Sequence, residues 1–566
     1  ASSAPEFASG TQLRTYRLAL AATGEYTAAV GGGTVAGALA AQVLIMNRVN
    51  GVYEREVAIR MVIVANNDQI VYTSASTDPY TNSDGDAMLD ENKTNLNSVI
   101  GTANYDIGHV FSTGGGGIAI LQGPCGSQKS GGVTGLPNPV GDAFAIDYVA
   151  HEMGHQWGAP HTFNGTSGSC SGNRSSSSAF EPGSGITIMA YAGICSGQNL
   201  AAHSIDTFHA KSLQDIINYS QTGNGNTCAV TSVTGNSPPA ISLPFGQSFN
   251  IPMQTPFSLN AAATDPDGDA VSYDWQQYDL GPSTTAVPNT DSDGNARPIF
   301  RGYGPVSQSA RNFPSVAYIL GNENVPPSKT GNFLTGELLP SIARTMNFRV
   351  VVRDNRAGGG GVSSATASVI VSGTSGPFKI TSPNTAATWN SGQSRTITWD
   401  VANTTAPPVS TANVRITLSL DGGQTFPVEL ASSTPNDGSQ NVPVPQVSNT
   451  SQARVRIEAE DNIYFDISDA NFSISSSPAS SGSISGRVTN SAGLGLSKVV
   501  VVLTGPLGPS TAVTNGFGYY QFDDQPFSSN YTVKPLPRKR YVFTPVSISF
   551  TLASSLTGLN FTGSVN

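Results

Sequence analysis

Residues 151–161 read His151-Glu-Met-Gly-His-Gln-Trp-Gly-Ala-Pro-His161. Two histidines four apart fall on one face of a helix, one turn apart. His151 and His155 can therefore present both imidazoles to one Zn²⁺ ion. Glu152 stands beside the first ligand, placed to touch a metal-bound water rather than the metal. Gly158 lets the chain leave the helix through a left-handed turn, which brings His161 back as a third ligand. Three protein ligands leave one position open, the coordination of a catalytic rather than a structural site. The preceding Ala143-Phe-Ala-Ile-Asp-Tyr-Val-Ala150 gives the helix an apolar face to bury.

Outward from this motif, the elements alternate. Residues 12–23 and Glu56 to Val64 read as strands, and Thr34 to Asn50, with Val35, Leu39, Val43 and Met46 at helical spacing, reads as a helix between them. Ala87 to Ile100 is a second helix, Tyr105–Phe111 and Ile118–Leu121 are short strands, and Asp142–Trp157 and Asp206–Tyr219 are further helices. That order predicts an α/β domain with a mixed, twisted sheet. All six histidines lie between His109 and His209, and all four cysteines between Cys125 and Cys228. Metal or thiol chemistry is thereby confined to the first ~230 residues. An even number of cysteines at wide spacing, none in a C-x-x-C pair, reads as two disulfides in an exported protein. Four cysteines allow three pairings.

The extended motif resembles that of the metzincin metallopeptidases, H-E-x-x-H-x-x-G-x-x-H followed by a methionine turn. Ile186-Thr-Ile-Met-Ala-Tyr-Ala-Gly193 fits that turn. The resemblance implies that Met189 is an apolar floor beneath the imidazoles, not a ligand. Over about residues 12–230 the chain is most similar to the reprolysin (adamalysin) group. That resemblance implies Cys125–Cys228 and Cys170–Cys195 disulfides. It also implies a substrate-binding edge strand at Gly117, Ile118, Ala119 and Ile120, within Gly114-Gly-Gly-Gly-Ile-Ala-Ile-Leu121. Two positions depart from the animal reprolysins. Thr162 follows the third histidine where they have Asp, and Tyr191 stands where they have Pro. In astacins and serralysins a tyrosine there reaches the metal at rest and steadies the transition state, so Tyr191 joins Glu152 as a candidate catalytic residue.

The chain has 566 residues, of which 61 are Gly and 36 Pro, and only 12% are charged. Net charge is −10, which leaves no electrostatic footprint for nucleic acid. No apolar run reaches the ~20 residues of a membrane span. After Cys228, helical periodicity gives way to short alternating strands broken by Gly, Pro, Asn and Asp. Seams at Thr234–Pro239, Ser372–Pro377 and Ser475–Gly482 divide the chain into a catalytic domain, 1–233, and three all-β sandwich segments, 236–373, 374–476 and 484–566. The first of these resembles cadherin-like and immunoglobulin-like modules, the second fibronectin-like modules, and the third the transthyretin-like domain of carboxypeptidase regulatory regions. Asp265, Asp267 and Asp269, in Asp265-Pro-Asp-Gly-Asp269, can bind Ca²⁺ or form a plain Asp/Gly turn. Lys534 to Arg540 read as a solvated basic loop.

The expectation is a secreted, monomeric zinc endopeptidase acting on protein or peptide substrates, with C-terminal modules for spacing or for cell-surface or matrix attachment. Two rival expectations stand beside it: a surface adhesion protein whose peptidase domain is latent or a scaffold, and a precursor activated by cleavage at a Ser-rich seam.

Overall fold

Strand β2 (Gln12–Ala22) is buried on both faces and organises the N-terminal part. Its Leu18, Leu20 and Ala22 join one apolar cluster, while Ala19 and Ala21 join another on the opposite face. Small residues on that second face let helix α3 (Gly85–Leu96) approach the sheet through Met88 and Leu96. The computed structural model describes residues 5–284, 296–323, 326–475, 481–538 and 541–565. Residues 476–480 of the third seam, and Lys539 and Arg540 of the basic loop, lie outside the described residues.

The sheet runs β3 (Ile59–Ile63), β2, β4 (Ile107–Ser112), β6 (Gly132–Gly135), β5 (Gly117–Ala119). The first four are parallel, and β5 pairs antiparallel with β6 and ends the sheet. Strand β7 (Val230–Val233) pairs antiparallel with the start of β2. Helix α2 (Val35–Val57) packs Ile45, Met46, Val49, Val52 and Tyr53 into the core. It continues seven residues beyond the Asn50 end that its spacing predicts. Ala58, at φ 52°, terminates it in a left-handed turn whose N–H donates to Tyr53 O. Glu56 is consequently helical and the strand begins at Ile59. Of the described helices, α2 has the length and mean apolarity of a membrane span by composition, although its run is broken by polar residues and its Ile45, Met46, Val49, Val52 and Tyr53 are packed in the core.

The zinc-motif helix, α4, comprises Gly141–Phe144, a wider π-helical stretch Ala145–Ala150, and His151–Gln156. The Tyr53 hydroxyl donates to Ala150 O at 2.8 Å, fixing α2 against α4 immediately before His151. Helix α5 (Ala210–Ile217) completes this part. Short strand β1 (Ala8–Ser9) belongs elsewhere: it pairs antiparallel with Ser363 and Val362 of strand Val362–Ser372. That strand pairs with Arg344–Arg353, which pairs with Ser272–Gln277. Val351 and Val362 share the apolar cluster of α2 and α4. Arg353 Nε and Nη2 each donate to a Glu56 carboxylate oxygen at 2.8 Å, and both side chains are fully buried.

The described chain forms two compact units, Ala1–Thr385 with Ile397–Gln440 and Arg454–Ala470, and Ala386–Thr396 with Asn441–Ala453 and Asn471–Asn566. Within the first, Asn413–Ser419 pairs with Val428–Pro435. Within the second, Ser481–Asn490 pairs with Tyr519–Pro526 and Phe561–Val565, while Val500–Gly505 pairs with Gly508–Val513 and Ser529–Pro535. Their inward residues, Val488, Val501, Leu503, Phe522, Val533 and Phe561, form one core. An α/β N-terminal part followed by segments built of β-sheets is thus the architecture; the expected all-β segment 236–373 also carries a short helix, Val316–Leu320.

Candidate active site

The helix brings His151 and His155 to one side, and Gly158, at φ 97°, turns the chain so that His161 faces them. Each imidazole donates its Nδ1–H to a backbone carbonyl: His151 to Ile188 at 2.6 Å, His155 to Ala159 at 2.7 Å, His161 to Asn173 at 2.6 Å. Those bonds set the tautomer and leave every Nε2 lone pair free. The Nε2 atoms of His155 and His161 lie 3.0 Å apart, and all three ligand atoms fall within 4.8 Å of one another. His151 Nε2 is buried with no partner among the described residues. Burial, then repulsion from the other two rings, holds His151 well below the usual imidazole range. Burial first, and then His161, brings His155 down to about 3; burial brings His161 to about 4. Three neutral, aimed nitrogens are what a Zn²⁺ ligand set requires. Among the described residues this is the group of three that converges.

Glu152 is buried beside them with Oε2 unpartnered, and burial pushes its carboxyl up to about 8. Gly117, on edge strand β5, lies directly over that carboxylate; a methyl group there would overlap Glu152 Oε1. Ile118 and Ala119 continue the edge, and the Ile120 N–H donates to Gly131 O at 2.9 Å. Met189 is fully buried beneath the helix, its sulfur where a methyl on Gly154 would stand. Tyr191 stacks on Phe163 at 4.6 Å and has its ring 4.6 Å from His161 and 5.5 Å from His151. Burial, with the Glu152 charge second, keeps its phenol protonated. Cavities of about 490 Å³ and about 400 Å³ share Gly117, Glu152, Asn173 and Tyr191, so they flank the histidines on two sides.

Disulfides join Cys125 to Cys228 and Cys170 to Cys195, with Cα separations of 5.4 and 5.1 Å. The second lies against Phe163, Ala190 and Tyr191. Asp265, Asp267 and Asp269 are not gathered at the histidines. Asp265 Oδ1 accepts from the Asp267 and Asp269 N–H groups at 2.9 and 3.1 Å, and Asp267 Oδ2 accepts from Ser237 N at 2.6 Å.

Several contributors carry no sequence signal. Glu181 is buried and accepts from the Thr162 and Thr187 hydroxyls and from the Ile186 and Thr187 N–H groups, tying the residue after His161 to the methionine turn. Segment 281–284 comes from the β-rich region. The Gly183 N–H donates to Thr284 Oγ1 at 3.0 Å, Arg174 Nη2 to Gly281 O at 2.7 Å, and Asn164 Nδ2 to Pro282 O at 2.9 Å. It thereby braces the loops on either side of Asn173 and Ser184, whose carbonyls hold His161 and the Tyr191 N–H. His109, the histidine on β4, is no ligand: its ring bridges Gln156 and Thr134 at 2.9 and 2.8 Å.

Residues 12–220 match the family model for Metallo-peptidase family M12B, Reprolysin-like. Residues 12–220 are therefore similar to a reprolysin-like metallopeptidase domain. No curated protein matches. Among solved structures, a chaperone–substrate complex is 15% identical over 38% of this chain and 38% of that chain, at a TM-score of 0.25. The chain thus spans about two-fifths of the length of that structure. The shaft pilin SpaA of Lactobacillus rhamnosus GG is 8% identical over 27% of this chain and 85% of that chain, at 0.14. A C-terminal fragment of the pilus adhesin SpaC from the same organism is 10% identical over 27% and 87%, at 0.15. None of these structural likenesses bears on activity.

Proposed function

We propose that this chain is a secreted zinc-dependent endopeptidase, with 1–233 as catalytic domain and 236–373, 374–476 and 484–566 as β-sandwich modules. The observation that carries the reading is the convergence of three carbonyl-anchored, neutral imidazoles beside a buried carboxyl that has a free oxygen. The two disulfides support an oxidising, extracellular setting.

A bound zinc ion would supply Lewis acidity, acidifying a water and polarising the scissile carbonyl. The chain's own groups do the rest. His151, His155 and His161 hold the ion. Glu152 accepts a proton from the attacking water as the O–C bond forms, and delivers it to the amide nitrogen as the C–N bond breaks. The products are a carboxylate and a free amine. Tyr191 offers its phenolic O–H to the developing oxyanion, and Gly117, Ile118, Ala119 and Ile120 pair with the extended substrate backbone.

The test is zinc content together with casein cleavage, for the native chain and Glu152→Ala. One zinc in both, and cleavage by the native chain at least a hundredfold faster, is expected. Absence of zinc after reconstitution, or equal cleavage by both, would overturn the reading.

A further inference from the structure

The two cavities beside the histidines differ in a way that bears on substrate choice. Both take Gly117 at the start of β5; the smaller one adds Ile118, Ala119 and, just past the strand, Leu121, whereas the larger adds Gly116, just before it. Antiparallel pairing is the more stable register for an added strand, and it is how β5 already pairs with β6. A substrate strand antiparallel to β5 runs from the Leu121 end toward Gly116. Its residues before the scissile bond then lie over the smaller cavity. The side chain immediately after the bond enters the larger one.

That larger cavity, about 490 Å³, has small apolar walls at Ala143, Ala190, Ala192 and Ala202. Its acidic side-chain lining consists of Asp147, one helical turn before His151, and Glu152 beside the histidines; among the described residues no lysine or arginine lines it. Asp147 is mostly buried, at 15% side-chain exposure, and is held in place. Its Oδ1 accepts from Ser204 N at 2.8 Å, and its Oδ2 from His203 Nδ1 at 2.7 Å. His203, itself 68% exposed and also lining the cavity, is the partner of Asp147 that an incoming cation would displace. A carboxylate among the alanine walls of a cavity suits an aliphatic stem that ends in a cation. It disfavours an acidic side chain by like-charge repulsion.

We propose that Asp147 makes this cavity a receptor for lysine or arginine, so that the chain cuts peptide bonds on the N-terminal side of a basic residue. The inference rests on the endopeptidase reading above and adds its substrate class.

The test uses the full zinc-loaded chain and quenched peptides that differ at one position, carrying Lys, Arg, norleucine or Glu there, with every product sequenced by mass spectrometry. Norleucine keeps the lysine stem and lacks the ammonium. New N-termini beginning with Lys or Arg are expected, with kcat/KM for Lys at least tenfold above norleucine and Glu cleaved least. In Asp147→Asn the Lys-to-norleucine ratio should fall toward one; a ratio is independent of how much of the variant folds. Norleucine cleaved as fast as Lys by the native chain, or products ending rather than beginning with the basic residue, would overturn the assignment while leaving the endopeptidase intact. No cleavage of any peptide, with casein also untouched, would overturn the endopeptidase reading and this one with it.

Discussion

The sulfur of Met189 occupies the space that a side chain on Gly154 would need. Gly154 lies between the two helix histidines, and Met189 is fully buried below them. The motif's glycine and the turn's methionine are therefore one packing unit. Gly154→Ala must push the thioether down or the helix up. We expect a destabilisation of about 1–3 kcal/mol, the usual cost of overpacking a tight core. Zinc affinity, measured by chelator competition, should fall at least fivefold, because Ile188, whose carbonyl orients His151, is the neighbour of Met189.

Gly117→Ala acts on chemistry rather than on the fold. Its methyl group meets the flexible end of Glu152, which can rotate away at little cost to stability but leaves the reacting water. Casein cleavage should drop more than tenfold while zinc content stays at one per chain and the unfolding midpoint moves by less than about 2 °C.

Removing Arg353 strips the buried Glu56 of its two shortest donors and leaves it the longer contacts to Arg55 Nε and the Phe208 N–H, each at 3.3 Å. Breaking a buried pair from one side costs about 3–5 kcal/mol. Urea unfolding of Arg353→Met should show a loss of that size. Near-ultraviolet circular dichroism of the peptidase aromatics should change along with the β-rich segment, since Glu56 closes α2.

Acid should destabilise the protein partly through His109. Burial holds its imidazole at about 4, whereas an unfolded histidine titrates near 6.5. As pH falls the unfolded chain takes up the proton first. The stability associated with a neutral His109 is therefore complete above about pH 6.5 and is lost progressively toward pH 4. The full gap corresponds to roughly 3 kcal/mol. His109→Gln cannot titrate, so between pH 7.5 and 5 it should lose less unfolding free energy than the native chain.

Legibility in the sequence followed how local each feature is. The ligands and Glu152 lie within eleven residues, at spacings that a helix and one turn translate directly into geometry. The methionine turn is equally compact. Helix ends were less legible: Asn50-Gly51 looks like a stop, yet the exposed Gly51 is carried by a helix whose buried face runs on through Val52, Tyr53, Glu56 and Val57. Least legible were partners set by tertiary folding. Nothing around Glu181 or Thr284 marks either as a brace: the partners of Glu181 lie 5 to 19 positions away in irregular loops, those of Thr284 lie as far as 120 positions away, and neither set follows a period.

The pairing of β1 with Val362 and Ser363, and of Glu56 with Arg353, has a consequence for the order of events during synthesis. More than 350 residues must leave the ribosome before the first strand and the end of α2 find their partners. Segment 281–284, which braces the loops around His161 and Tyr191, also arrives long after the ligands it supports. Contacts so distant along the chain form slowly. A nascent chain that carries its three clustered histidines is thus still an unbraced one, and the site gains its support only after more than a hundred further residues have followed His161 out.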